Sequence, residues 1–268
     1  MITKKKWIAI DKSKKKRSLI FLLQIAIAIC FLLFLSLVLS KKLSFKSFLI
    51  SNDKLQGIDV SHYQGEIHWE TIKEQGIAFA FIKATEGSSH VDRKFDENWK
   101  QAKEAGILVG AYHFFSFDSP AKTQARLFIK TVKDLSGSLI PVIDIEYYGK
   151  KEKNPPNQKT VRKQLKQLLQ ILEEEYGIKP MIYTTYKVYH RYIEGEFEEY
   201  PLWIRNVYYP PIDIKRQWAF WQYSDTGILD GYEGKEKYID KNVFYGTKEQ
   251  LMDYIVPNKE TAKKEKSV

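Results

Sequence analysis

Cysteine is almost absent. Cys30 is the only one in 268 residues, so no disulfide can form within the chain and no cysteine zinc site can be built. Histidine is scarce: His62, His68, His90, His113 and His190 show no H-E-x-x-H spacing. A zinc centre therefore lacks its usual ligands, and no metal or cofactor is expected. No loop has EF-hand spacing, which leaves only a carboxylate Mg²⁺ or Ca²⁺ site open. Internal repeats and a second folded module are missing too. Positive charge is missing from the middle of the chain. The formal net charge is +10, but residues 1–55 hold twelve Lys/Arg against two Asp/Glu. Residues 56–256 hold 27 basic and 29 acidic residues. The basic balance belongs to the tails, which argues against a nucleic-acid partner for the folded part.

Long apolar runs are absent with one exception. "LIFLLQIAIAICFLLFLSLVL", residues 19–39, is 21 residues without a charge. At ~1.5 Å per residue a helix there reaches about 30 Å, the thickness of a bilayer core. Lys4 to Lys6, Lys12, Lys14 to Lys16 and Arg17 precede it. The positive-inside rule then gives a basic cytoplasmic segment over 1–18, a membrane helix over 19–39 and the remainder outside, as a single-pass membrane protein. The alternative is a cleaved signal peptide ending near Val38 and Ser40, with an apolar core longer than the usual ~7–15 residues. Cys30 sits mid-span as an apolar filler. Residues 40–54 read as a stalk, and 257–268 as a charged, disordered tail.

From Leu55 to about 256 the pattern alternates. Short β-rich runs, "LQGIDVS" (55–61), "IAFAFIKAT" (77–85), "ILVGAYHFF" (107–115) and "LIPVIDIE" (139–146), are separated by helical patterns over 95–106, 119–135 and 160–177. Val161, Leu165, Leu168, Leu172 and Tyr176 make one stripe, stopped at Gly177. Strand–helix alternation implies βαβ units and a parallel sheet. Six or more strands in this length favour a closed barrel. The runs "PMIYTT", "PLWIRN" and "QWAFWQY" follow with few helices between, so the last part is expected to be irregular or antiparallel. A final helix is expected over 247–255.

The chemistry gathers at "PVIDIE". Side chains alternate along a strand, so Asp144 and Glu146 share one face and Ile143 and Ile145 the other. The isoleucines suit the layer beneath the helices. The carboxylates then face the barrel axis at the C-terminal end of the strand, where barrel enzymes keep their sites. Asp59 in "GIDVS" holds the same position on the first strand. The alternative for each is a helix cap or an ion pair with Lys83. Clustered carboxylates suit glycoside hydrolysis, with one kept protonated to assist the leaving group and a second to stabilise positive charge or activate an attacking group. Tyr63, Tyr112, Phe114, Trp203, Trp218, Trp221 and Tyr223 lie near strand ends, where sugar rings can stack on them; ordinary core packing is the competing reading.

"GIDVSHYQG", "FAFIKATEG", "VGAYHFF", "PVIDIE", "PLWIRN" and "WQYS", in that order, resemble glycoside hydrolase family 25, the Chalaropsis-type lysozymes. The resemblance spans roughly 55–246. It implies a flattened, TIM-like (β/α)₅β₃ barrel. It also implies hydrolysis of the β-1,4 bond from N-acetylmuramic acid to N-acetylglucosamine in peptidoglycan. Glu146 then matches the proton donor, Asp144 its partner carboxylate and Asp59 the first-strand aspartate. "YIDKNVF" matches a late D-x-N block and makes Asp240 a fourth acid lining the groove, with Tyr63, Tyr112, Trp203, Trp221 and Tyr223 as further glycan contacts. Two positions depart from the family pattern: Lys241 stands where an apolar residue is usual, and Arg205 where a small one is. The expected partners are peptidoglycan strands and, through the N-terminal helix, the membrane. The rival from another class is a non-catalytic glycan-binding tether. A chitinase-like barrel is disfavoured because its D-x-x-D-x-D-x-E strand is missing.

Overall fold

The computed structural model describes residues 17, 19–34, 36 and 54–257. The chain divides into two compact units, Met1–Leu49 and Ile50–Val268. In the first, residues 19–34 are helical and their side chains exposed. Among the described residues no helix is long and apolar enough to cross a membrane. The span expected over 19–39 includes positions 35 and 37–39, which lie outside the described residues. So do 1–16 and 18, the stalk up to 53 and the tail from 258.

The second unit is built on nine strands: β1 Gln56–Val60, β2 Ile77–Glu86, β3 His90–Val91, β4 Leu108–Phe114, β5 Val142–Ile145, β6 Met181–Thr185, β7 Leu202–Arg205, β8 Phe220–Gly227 and β9 Ile239–Phe244. The sheet order is β1-β9-β8-β7-β6-β5-β4-β2-β3, and β1 also pairs with β2. That last pairing closes eight strands into a barrel and leaves the two-residue β3 as a flap on β2. Neighbours from β1 round to β8 run parallel, and β9 is antiparallel to both β8 and β1. Helices α1 Trp69–Glu74, α2 Phe95–Glu104, α3 Ala121–Val132, α4 Gln158–Tyr176 and the short α5 Tyr186–Val188 follow the first five barrel strands. Three strands then close the ring without intervening long helices, which is the expected (β/α)₅β₃ order. The final helix is reduced to α6 Lys248–Leu251 and a 3₁₀ turn, Met252–Tyr254.

Local chemistry sets these boundaries. Asn157 caps α4 through its side chain, and Gly177 ends it in the left-handed conformation at φ 69°. The α4 stripe Val161, Leu165, Leu168 and Leu172 is buried, as its spacing requires. Pro120 precedes α3 with φ −64°, so that helix starts at Ala121, slightly later than its sequence pattern suggests.

The barrel interior is aromatic at its floor. Phe81 stacks on Trp203 with ring centroids 4.4 Å apart, and Phe220 meets Phe79 and Phe81 edge-on at 5.2 and 5.3 Å. These rings fit because two inward positions carry no side chain. A Cβ on Gly57 would sit 2.3 Å from the Phe79 ring, and one on Gly110 would sit 2.6 Å from Phe81. The outward residues Ile58, Ile82, Val109, Ile143, Ile182 and Ile204 are also buried, beneath the outer layer. The barrel thus has two apolar faces, and its polar interior is confined to the strands' C-terminal ends.

Candidate active site

Alternation along five strands, β1, β4, β5, β7 and β9, builds the site. One groove is lined by Asp59 from β1, Asp144 and Glu146 at the end of β5, and Asp240 from β9. Tyr63, Tyr112 and Trp203 line it too. The described structure therefore brings together seven of the nine residues expected to form the site. Trp221 and Tyr223 are the exceptions. Both are buried in a separate small cluster with Val243. Trp221 donates its indole N–H to the Asn206 carbonyl at 2.8 Å, and the Tyr223 hydroxyl donates to Gln56 Oε1 at 3.2 Å. The physical reason is strand parity. On β8 it is Gln222 that turns to the groove side, so its neighbours 221 and 223 point the other way.

Gln222 and Asn242 are the residues sequence reasoning missed. Gln222 Nε2 donates to Asp59 Oδ2 at 2.8 Å, and Asn242 Nδ2 donates to the same oxygen at 2.7 Å. Each amide is itself oriented. The Tyr183 hydroxyl donates to Gln222 Oε1 at 2.9 Å, and Trp203 Nε1 donates to Asn242 Oδ1 at 2.9 Å. The two relays leave Asp59 Oδ2 an acceptor, which favours its charged form. Burial opposes this more strongly and raises the Asp59 carboxyl above the usual range, with Asn242, Gln222 and Arg205 pulling it back.

Asp240 is the cross-strand partner of Asp59. Burial first, and the Asp59 charge second, push its carboxyl up to about 9. A protonated Asp240 donates to Asp59, which is one of the contacts that lower Asp59. Asp144 is 7% exposed, and its Oδ1 has no hydrogen-bond partner. Its carboxyl is driven well above the usual range by burial and then by the charge of Glu146. Burial also raises Glu146, while Arg205 opposes the rise. Burial is the first cause for both carboxyls.

The nearby cations are already engaged. Lys83 lies 2.6 Å from Glu86 and over the Phe114 ring at 5.0 Å. Arg205 Nη2 lies 2.8 Å from Asp225 Oδ2. Arg205, one of the two departures from the family pattern, thus sits at the groove's edge. Lys241, the other, lies between Asp240 and Asn242 on the strand and faces away from them; its aliphatic stem covers Gly227. His113 is a structural residue: it is fully buried between Thr85 Oγ1 at 2.7 Å and Gln124 Oε1 at 3.0 Å, and burial lowers it to about 4. His62 pairs with Asp92 at 2.7 Å. Among the described residues no group of His, Cys, Asp and Glu is arranged to hold a metal ion.

A closed eight-stranded barrel with buried carboxylates at the C-terminal ends of its parallel strands, joined there by Asp240 from the start of the antiparallel β9, is the framework of a glycoside hydrolase. The sequence model of "Glycosyl hydrolases family 25" matches residues 58–232. Protein YegX of Escherichia coli (strain K12) is 42% identical over 213 residues, covering 77% of this chain and 75% of that one. Lysozyme M1 of Streptomyces globisporus is 33% identical over 215 residues, covering 74% and 70%. Among solved structures, a family 25 glycosyl hydrolase from Bacillus anthracis superposes with a TM-score of 0.72 at 46% identity, covering 76% of this chain and 95% of that one. The chain belongs to glycoside hydrolase family 25, and it is a glycoside hydrolase.

Proposed function

We propose that this chain is a peptidoglycan muramidase that cuts the β-1,4 bond between N-acetylmuramic acid and N-acetylglucosamine. The observation that carries the reading is the pair Asp144 and Glu146 at the exit of β5, both raised by burial and both lining one groove with Asp59 and Asp240. Glycosidic cleavage needs one carboxyl that still holds a proton near neutral pH and another that can carry charge beside the developing oxocarbenium ion. Glu146 ends the strand and acts as the proton donor to the leaving oxygen. Asp144 is the partner, with a partnerless oxygen that accepts an N–H from the sugar's acetamide. Asp59, fixed by Gln222 and Asn242, positions the glycan and supplies negative charge. Membership of a family that includes lysozymes supports the substrate assignment.

Fragments released from purified peptidoglycan carry reducing N-acetylmuramic acid ends, read by mass spectrometry. Reducing N-acetylglucosamine ends overturn the bond assignment. Glu146→Gln keeps the shape but cannot transfer the proton, so turnover falls ~10²–10⁴-fold while glycan pull-down persists. Near-parental turnover in that variant places the donor elsewhere. A parent that binds glycan and never releases fragments is a tether.

The same reading puts the enzyme at the cell surface. The uncharged run over 19–39 and the lysines before it support a single-pass anchor with the barrel outside the membrane. Protease added to intact protoplasts then removes a C-terminal tag. Protection of that tag reverses the orientation, and a mature form starting at Lys41 replaces the anchor with a signal peptide.

A further inference from the structure

Beside the acidic groove lies a second concavity of opposite charge. Two adjoining depressions share Tyr147, Glu152 and Lys187. Together their walls carry three cations, Lys187, Arg191 and Arg205, and one carboxylate, Glu152. The groove beside them carries six carboxyl groups and one cation, Lys83.

The two surfaces meet at defined points. Tyr147 follows Glu146 directly at the exit of β5. Arg205 ends β7 and reaches Asp225 in the groove wall at 2.8 Å. The cleft therefore begins where the carboxylate groove ends, on the same rim of the barrel. Lys187 pairs with Glu152, but the two side chains are 74% and 54% exposed. Such a surface pair is weak and exchanges readily for another carboxylate. The cleft also has an aromatic wall. Tyr186 meets Tyr209 edge-on at 6.1 Å, and the Tyr186 hydroxyl donates to Asp213 at 2.6 Å.

We propose that this cleft binds the carboxylate-bearing peptide stem of the muramic acid residue whose bond is cut. The proposal rests on the muramidase reading and adds the peptide to its substrate. The argument is charge and continuity. A glycan strand stripped of its peptides carries only the one lactyl carboxylate of each muramic acid, held close to the ring, and it does not reach cations on the neighbouring rim. A muramyl peptide is a neutral sugar with an anionic branch, leaving from the lactyl group close to the scissile bond. Seated with its bond at Glu146, it sends its branch over Tyr147 toward Lys187 and Arg191 on the adjoining wall. Arg191 suits a carboxylate as a planar two-pronged donor, and Lys187 as a point charge. Arg205, which lines the cleft and reaches Asp225 in the groove wall, is the link between the two surfaces.

The test separates this idea from the muramidase reading by measuring binding without cleavage. The full chain carrying Glu146→Gln is titrated with a disaccharide tetrapeptide and with the same disaccharide stripped of its peptide by an amidase. The peptide-bearing ligand binds about five- to ten-fold tighter, the size expected of one or two exposed charge-assisted contacts. Adding Lys187→Gln and Arg191→Gln shrinks that ratio toward one, and raising the salt does the same. Equal affinity for the two ligands overturns the proposal, as does a ratio that survives the double change. Displacement of the peptide-bearing ligand by a glycerol-phosphate polymer at lower concentration than by free tetrapeptide also overturns it and assigns the cleft to a phosphate polyanion. Hydrolysis by the parent is scored separately, and its failure sinks the muramidase reading while the affinity ratio still decides the cleft.

Discussion

Asp240 allows a test that needs no substrate. Its carboxyl is pushed up to about 9 in the folded protein, by burial and then by Asp59. In an unfolded chain an aspartate titrates near ~3.9. Between those values the folded state holds a proton that the unfolded state has released. The stabilisation is full below about pH 4 and is lost as pH rises toward 9. One such proton changes stability by ~1.4 kcal/mol per pH unit, or about 3 kcal/mol between pH 5 and 7. Asp240→Asn removes the titration and keeps an N–H donor beside Asp59. Urea unfolding of parent and variant at several pH values between about 5 and 8 measures the two slopes. The variant's line is flatter by up to ~1.4 kcal/mol per unit, so it gains on the parent as pH rises. Because the amide still donates, hydrolysis suffers less from Asp240→Asn than from Asp59→Asn. Parallel lines for parent and variant refute the claim that Asp240 carries a proton at neutral pH.

Asn242→Leu strips the Trp203 indole of its acceptor and Asp59 of one donor at a single stroke. Stability falls by ~2–4 kcal/mol in urea melts, and the acid limb of hydrolysis moves up by about 1–2 pH units, because a charged acceptor loses a hydrogen bond; an unmoved limb rules out a requirement for ionised Asp59. Gly234→Ala places a Cβ 2.1 Å from the Tyr63 carbonyl oxygen, so the loop bearing Glu236 and Tyr238 has to shift at the groove edge. Overpacking of this kind costs ~1–3 kcal/mol; KM for glycan rises with it, and a variant with parental melting and KM disproves the close approach.

The carboxylates were legible because alternation on a strand is a strict rule. Once "PVIDIE" is a strand, Asp144 and Glu146 share a face whatever surrounds them. Applied to "WQY", the same rule separates Gln222 from Trp221 and Tyr223, but it does not say which set faces inward. Burial gives no help, since residues 220–223 are buried on both faces. The aromatic side chains looked like sugar platforms, and they form a satellite cluster instead. Gln222 and Asn242 were harder still. Asn242 stood in the quoted D-x-N block and Gln222 in "WQYS", but a neutral amide carries no charge to mark its role, which appears only when its partner Asp59 is seen. Helix α1, at six residues, is too short to show a helical period.

The site's electrostatics follow from what its cations are doing. Lys83 is engaged by Glu86 and Arg205 by Asp225, so four buried carboxyls are left to be neutralised chiefly by protons and amides. Each of the four is raised, with burial the first cause in every case. Such a groove favours protonated carboxyls, and Asp240, pushed up to about 9, holds its proton at neutral pH. Asp144 and Glu146 stand together at the exit of β5, each raised first by burial. A bound acetamide N–H at the partnerless Oδ1 favours charged Asp144 and displaces its proton. The new charge then raises its neighbour Glu146, at the strand's exit, where the leaving oxygen waits. Under the proposed mechanism, substrate binding thus loads the acid. The basic limb of kcat, which reports the complex, accordingly lies above the basic limb of kcat/KM, which reports the free enzyme. If the two limbs coincide, the glycan moves no proton between the carboxyls, and Glu146 is protonated before substrate arrives.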